Sequence, residues 1–374
     1  MNKAVIAGYV RSPFTPANKG GLARTRPDDL GAAVVRELVR RTGIAVDDLE
    51  DLIVGCAFPE GEQGLNVART IGFLAELPLT IAATTVNRYC GSSMQAVHMA
   101  AGAIALGAGD AFICCGIESM SRVPVMGFNP LPHPGLAKSF PAAYLAMGLT
   151  AENLARRYAI SRLSQDAFAV ASHAKAVRAR AEGHFAAEIF PCFGVTTDGC
   201  LRPETSPEQL AALPAAFDVT GTITAGSASP MTDGAAALLV TSESYARRQG
   251  LECLARIRSI AVAGCEPDLM GIGPVPASRK ALARAGLALS DIEIIELNEA
   301  FAAQSLACLQ ELGLDPQRVN LEGGAIALGH PLGATGARIT GKAATLLQRR
   351  SAKFALATQC IGGGQGIALI LEAI

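Results

Sequence analysis

The chain of 374 residues sets 32 Lys and Arg against 33 Asp and Glu, a formal net charge of −1, which argues against nucleic acid as its main partner and leaves a small anionic ligand open. Half of the residues are apolar and 17% are charged, enough for a large core and too little polarity for extended disorder. No apolar run reaches the ~20 residues of a membrane span. No CxxC pair with a histidine partner provides a structural zinc site, and the ten cysteines, scattered singly or as Cys114-Cys115, read as reduced thiols of a cytoplasmic protein.

Lys3 to Val10 reads as a buried opening strand, leaving no room before it for a signal or transit segment. An amphipathic helix follows over Asp28 to Arg41, then a strand over Leu52 to Cys56, a helix over Leu65 to Ala75 and a strand over Ile81 to Val86. That strand runs into the polar turn Asn87-Arg88-Tyr89-Cys90-Gly91-Ser92-Ser93. An Ala-rich helix extends from the turn to about Leu106, and Ala111 to Gly116 is an apolar strand. Such alternation predicts an α/β layered fold. From Glu118 to about Thr224 the pattern breaks. Pro124, Pro130, Pro132, Pro134 and Pro141 interrupt the chain, Thr150 to Asn153 opens a helix, Ser164 caps another over Gln165 to Glu182, and Asp198 to Pro214 is polar. We read this stretch as an excursion from the core, a lid or loop domain carrying binding surface.

Strands return at Ala235 to Thr241 and Leu254 to Ala263. Arg41 to Glu50 then finds a match in Arg284 to Glu293, each following an amphipathic helix and entering an apolar strand, at an offset of 243 (286 − 43). The strand at Phe112-Ile113 recurs near that offset in Phe354 to Ala357. A third likeness, between residues 102–107 and 324–329, has an offset of 222 (329 − 107) and is Ala/Gly composition. The two concordant matches predict a duplicated α/β domain. Residues 1–118 with 225–249 form one unit, 119–224 the inserted loop domain and 250–374 the second unit. Functional groups would converge at the mouth between the two units.

Cys90, at a strand–turn–helix junction, is the first candidate. A helix N-terminus favours an anion and should lower the thiol pKa, and its free N–H groups can hold an oxyanion. The alternative is a small buried hydrophobe. Partners from the far half are three. His330, on the Gly/Pro-rich loop Gly323 to Gly333, would be a base with a pKa near neutrality. Cys360 ends the strand from Phe354 ahead of Gly362-Gly363-Gly364, and its thiol could donate a proton to a carbanion. The competing reading of that glycine-rich turn is a phosphate cradle, but no Lys-Ser/Thr pair follows as in a Walker loop. Asn298, after the strand of the repeat, is either a helix cap or an amide holding a water against an oxyanion.

Taken together, Asn87-Arg-Tyr-Cys90-Gly-Ser-Ser, Asn298-Glu-Ala-Phe, Gly329-His330-Pro331 and Cys360-Ile-Gly-Gly-Gly resemble the thiolases. The likeness runs in order over essentially the whole chain and includes Met147 to Asn153 and Ala225 to Ser229. Arg202-Pro-Glu-Thr and Gly273 to Ser278 look more like the degradative 3-ketoacyl-CoA thiolases than the acetoacetyl-CoA-forming ones. Ala146 stands where the latter usually carry a histidine near the pantetheine, a departure in the same direction. The biosynthetic acetoacetyl-CoA thiolase is the alternative.

The resemblance implies a duplicated thiolase-like α/β fold and CoA-dependent cleavage of a 3-ketoacyl-CoA to acetyl-CoA and a shortened acyl-CoA. Cys90 would attack the 3-keto carbon after His330 takes its proton, and Cys360 would protonate the departing acetyl-CoA carbanion. One oxyanion site would be His330 with a water held by Asn298, the other the N–H groups of Cys90 and Gly362. Ser229 would contact the pantetheine arm, Met270 and Phe301 would wall the acyl pocket, Arg202 would lie near the adenine, and Met147 and Ala300 would also touch substrate or CoA. CoA is then a substrate, with no permanently bound cofactor and no metal. The expected partners are acyl-CoA and CoA, a second copy in a homodimer or homotetramer, and other β-oxidation enzymes in a possible complex. An acyl-condensing synthase would lack Cys360, and a non-catalytic acyl-CoA carrier would have lost one of Cys90, His330 or Cys360.

Overall fold

The computed structural model describes residues 2–374. Ten strands form one mixed sheet: β1 (Ala4–Arg11), β2 (Thr15–Pro16), β3 (Asp51–Gly55), β4 (Ala82–Val86), β5 (Ala111–Ser119), β6 (Thr232–Ser242), β7 (Ala255–Gly264), β8 (Ile294–Leu297), β9 (Phe354–Ile361) and β10 (Gln365–Glu372). Their order is β4-β3-β5-β6-β1-β7-β10-β9-β8, with β2 paired to β6. The join in the middle is short, only Val5 with Arg256 and Ile6 with Ala255.

Read outward from that join, the two halves repeat one plan. β1 and β7 each pair antiparallel with the last strand of their half, β6 or β10. That strand pairs antiparallel with β5 or β9, which pairs in parallel with β3 or β8. The duplication is visible in register. Asp51 faces Phe112 and Ile294 faces Ala355, so both members of the pair move by the same 243 residues (294 − 51 = 355 − 112). The first half adds β4 at its edge, and the second half keeps only an isolated bridge, Ile295 with Val319, in that place.

Two helices, Ser92–Leu106 and Leu332–Arg349, pack on each other and on both halves of the sheet. The shared core takes Met94, Val97 and Ile104 from one, Ile339, Leu346 and Leu347 from the other, and strand residues of both halves. Most of each helix is buried, with Met99 and Leu106 of the first and Gln348 and Arg349 of the second reaching solvent. Small residues permit the close crossing. A Cβ on Gly336 would lie 2.4 Å from the Met94 nitrogen, and one on Gly116 would lie 2.2 Å from the Gly333 carbonyl and 2.6 Å from Ser93 Cβ. The outer faces are covered by Pro27–Thr42 and Val67–Leu74 on the first half and by Pro274–Ala285 and Ala302–Leu312 on the second.

Several boundaries differ from the sequence reading: the strand read from Ala235 starts at Thr232, and the one read to Gly116 runs on to Ser119. The helix expected to open at Thr150 begins at Met147, and the cap of the next helix is Ser161, whose hydroxyl accepts from the Ser164 N–H, rather than Ser164. The excursion is tied to the first half by one buried cation. Arg11 donates to Glu188 at 2.9 Å and bidentately to Asp198 at 2.7 and 2.8 Å, and Asp198 also accepts from the Phe14 N–H. The second tie is Glu299, which accepts from Ser172 of the excursion and from Asn320 of the second half, both at 2.7 Å.

Candidate active site

Cys90 sits one residue before the cap of the Ser92–Leu106 helix. Its turn is held by Ser92, whose hydroxyl accepts from the Arg88 N–H and donates to the Tyr89 carbonyl. Tyr89 takes φ +43, a left-handed conformation that a bulky side chain adopts only under outside constraint. The turn is fastened to the far half of the chain. Gln359 on β9 donates to the Cys90 carbonyl, and Arg88 donates to Gln365 at 2.8 Å.

The glycine-rich turn between β9 and β10 completes this side. Gly363 and Gly364 have φ near +80, and a Cβ on Gly364 would meet the Cys265 carbonyl at 2.4 Å, so the turn demands glycine. Desolvation of the half-buried Cys90 thiol, helped by the charge of Glu118, pushes it up to about 12 against the N–H groups of Gly362 and of Cys90 itself, which favour the thiolate. The expectation of a lowered pKa is therefore corrected: the helix terminus is real, and desolvation wins. Cys360, one residue before the end of β9, is buried and also raised well above the ordinary thiol value, first by burial and next by the facing Cys90.

His330 is corrected in the same way. Burial and the Arg338 cation hold it down to about 3, so it is a neutral imidazole rather than one poised near neutrality. Its ring is held at both nitrogens: Nδ1 lies 2.6 Å from Thr335 Oγ1 and Nε2 lies 3.3 Å from Asn298 Nδ2. Its backbone N–H donates to Thr232 Oγ1 at 3.0 Å. Asn298 is thus no helix cap, since the next helix starts at Ala302 with Phe301 at its cap position. The buried Asn298 Oδ1 has no hydrogen-bond partner, which leaves room for one more donor such as water.

The structure draws Cys90, Gly362 and Cys360 together at one place and Asn298 with His330 at another. The two helices that follow Cys90 and His330 meet at their first turns, with the Ala337 N–H donating to Ser93 Oγ at 2.8 Å. Met147, Met270, Ala300 and Phe301 join Cys360 in one apolar cluster. Met147 Sδ also comes within 3.7 Å of where a Gly362 Cβ would stand. Ser229 is placed against the same cluster, its N–H donating to the Ala300 carbonyl at 2.9 Å. Arg202 stands apart: it is exposed, and its backbone N–H donates to His173 Nδ1 at 3.2 Å.

A family model described as "Thiolase, N-terminal domain" matches residues 4–244, and one described as "Thiolase, C-terminal domain" matches residues 251–373. The chain belongs to the thiolase family. Curated 3-ketoacyl-CoA thiolases of Bacillus subtilis and Erwinia tasmaniensis are 48% and 51% identical to this thiolase, over 100% of both chains in each case. Among solved structures, the human mitochondrial 3-ketoacyl-CoA thiolase is similar with a TM-score of 0.92 at 36% identity, covering 100% of this chain and 99% of its own. The Bacillus anthracis acetyl-CoA acetyltransferase gives 0.92 at 38% identity with the same coverage. Motif reading of this thiolase missed Thr232, Thr335, Gln359 and Glu118, which hold the site from behind. Only Thr335, five residues after His330 at a helix start, carried a signal that spacing could have revealed.

Proposed function

We propose that this thiolase cleaves 3-ketoacyl-CoA with CoA, giving acetyl-CoA and a shortened acyl-CoA through an acyl group carried on Cys90. The observation that carries this reading is the closure of the Cys360 segment on the Cys90 turn: Gln359 donates to the Cys90 carbonyl and Gly362 lies against Tyr89, which brings both thiols to one place. The N–H groups of Cys90 and Gly362 are where the oxygen of a carbon bonded to the Cys90 sulfur would sit. In the unliganded protein both Cys90 and His330 favour their neutral forms, so the thiolate–imidazolium pair belongs to the reacting complex, where the charge passes on to the substrate oxygen.

Proton bookkeeping follows from the imidazole. Thr335 has one hydroxyl hydrogen and gives it to the Pro331 carbonyl at 3.0 Å, so it accepts from Nδ1–H and leaves Nε2 as the free base. Nε2 takes the Cys90 proton as sulfur attacks the 3-keto carbon. The C2–C3 bond then breaks, and its electron pair goes into the thioester enolate. Once Nε2 is protonated, it and Asn298 Nδ2 are both donors that can converge on one enolate or water oxygen. Cys360 protonates C2 to release acetyl-CoA, and the thiol of a second CoA displaces the acyl group from Cys90, reversing the proton transfers.

The homology of the curated relatives favours the degradative direction over the acetoacetyl-CoA-forming one. CoA would run along the excursion past Ser229 and Met147, with Arg202 toward its adenine end. We take residues 1–118 with 225–249, 119–224 and 250–374 as the first α/β, loop and second α/β domains. A homodimer or homotetramer is supported by the unpaired outer edge of β4, flanked by the exposed Leu65, Phe73, Leu79 and Met99. No helix among the described residues is long and apolar enough to cross a membrane, in keeping with a cytoplasmic enzyme. Thiolysis rates across 3-ketoacyl-CoAs of increasing length test the reading. Turnover of medium or long chains is expected, and turnover of the four-carbon substrate alone would transfer the enzyme to the acetoacetyl-CoA class.

A further inference from the structure

Glu118, the penultimate residue of β5, is 1% exposed and has no cation beside it. Its carboxylate instead receives four N–H donors: Ala57 at 2.9 Å, Phe58 at 3.3 Å, Gln63 Nε2 at 2.8 Å and Gly333 at 2.9 Å. The Cys56 thiol approaches at 3.9 Å as a fifth, weak donor. Burial raises the carboxyl, and the four donors oppose that by favouring the ionised form, since a protonated carboxyl would find no acceptor in this shell. Three of the donors come from the segment after β3. The fourth, Gly333, belongs to the first turn of the helix that follows His330, where an anion is favoured by the helix dipole.

This carboxylate stands at a crossing of four segments with no slack. A Cβ on Gly333 would meet the Ile117 carbonyl at 2.4 Å and Cys56 Cα at 2.9 Å, and one on Gly55 would meet the Ser93 nitrogen at 2.3 Å. Ser93 and Gly333 each lie three residues past the functional side chain of their segment, Cys90 and His330. The position of those two groups relative to each other is therefore set at this junction, because they come from different halves of the duplicated fold.

We propose that Glu118 is a positioning residue of the site, an ionised carboxylate that locks the His330 segment onto the first half and sets a negative charge beside the Cys90 turn. The proposal rests on the reading of Cys90 as the acyl carrier. The titratable and charged groups around that turn are Glu118 from β5, Cys56 after β3, Cys360 from β9, Arg88 within the turn, and His330 with Arg338 from the second half. Glu118 is the one anion among them. It disfavours the thiolate at rest.

The experiment combines Glu118→Gln and Glu118→Asp with two readouts in the full-length protein: steady-state thiolysis, and the pH dependence of iodoacetamide labelling of Cys90 without substrate. A Cys90→Ala blank identifies the labelled site. Gln offers an N–H₂ where two backbone or side-chain donors converge, so kcat should fall about 10²-fold. Loss of the anion should move the labelling midpoint down by roughly one pH unit. Labelling at fixed pH then speeds up while turnover slows, a divergence that a merely structural role would not produce. Asp retains the charge and should keep the wild-type midpoint, with lower kcat from its shorter reach. Should Gln fail to fold, an Asp variant with a shifted midpoint overturns the proposal, and an unshifted one with reduced kcat supports it. Gln with kcat lost but the midpoint unmoved, or with both unchanged, overturns it as well. Undiminished thiolysis by the Cys90→Ala enzyme would instead sink the site reading itself.

Discussion

The Nδ1 of His330 lies 2.6 Å from Thr335 Oγ1, and that hydroxyl in turn lies 3.0 Å from the Pro331 carbonyl. The side chain five residues downstream thereby decides which imidazole nitrogen is a base. Thr335→Ala frees the ring to choose its tautomer and orientation. We expect kcat to fall about 10²-fold with KM little changed, and Thr335→Ser to restore most of it. Equal loss in the Ala and Ser variants would show that the methyl group and packing, rather than the hydroxyl, are what His330 needs.

The close crossing of the two central helices predicts a sharp contrast between two glycines. Gly116→Ala would drive a methyl group against the backbone of Gly333 and Ala334 and against Ser93, at 2.2 to 2.7 Å. The cost should be about 3 kcal/mol, visible as a lower urea midpoint. Gly102, inside the Ser92–Leu106 helix, has nothing within 4 Å of a built Cβ. Gly102→Ala should therefore stabilise by about 0.5–1 kcal/mol through helix propensity. Equal effects of the two substitutions would contradict the packing.

Arg11 tests how the excursion is anchored. Its guanidinium is wholly buried between Glu188 and Asp198, with side-chain exposures of 3% and 4% for the two acids. Arg11→Ala leaves both carboxylates without their cation, although Glu188 keeps Lys342 at 2.6 Å. A loss of about 3–5 kcal/mol is expected, and limited proteolysis should cut first within residues 119–224. An unchanged rate of cutting within residues 119–224 would refute that anchoring role.

Acid stability follows from the buried histidines. His98 and His330 are held neutral to about 3, both chiefly by burial. An unfolded chain protonates them near 6.5, so between pH 6.5 and 3 it binds more protons and stability falls as pH falls. Glu296, raised by burial to about 7, works in the opposite direction between pH 7 and 4.5, since the folded protein takes up its proton first. His98 Nε2 has no hydrogen-bond partner, so the ring can be replaced. His98→Leu should reduce the stability slope near pH 5 by about 1.4 kcal/mol per pH unit. An unchanged slope in urea titrations at pH 5, 6 and 7 would show that His98 is not held neutral.

Much of the fold was legible because each half repeats strand and helix patterns that a single period aligns. Gly43 and Gly286 both end a helix in the left-handed conformation, with φ +65 and +69, and each precedes a strand of the same plan. The helix bounds in the excursion were less legible. There the Met147–Arg157 start rests on packing of Met147 in the apolar cluster rather than on a polar cap. Cys90, Asn298, His330 and Cys360 were nameable because each lies at an element's end in a run of small or polar residues. Thr232, Gln359 and Glu118 were not, because each acts on a partner more than a hundred residues distant in the chain or on its backbone.

The duplicated α/β plan, the interrupting excursion and the candidate reactive side chains could be read from the residues alone, since these depend on local periodicity and residue chemistry. Their protonation is set by packing and could not. Cys90 does stand at a helix start, where the dipole favours a thiolate, yet the surrounding burial raises it to about 12 and lowers His330 to about 3. Desolvation depends on what every other segment places around a group, and no local pattern carries that information. For the same reason, the free base on Nε2 of His330 follows from Thr335 and Pro331 meeting its ring in space rather than from the Gly-His-Pro motif.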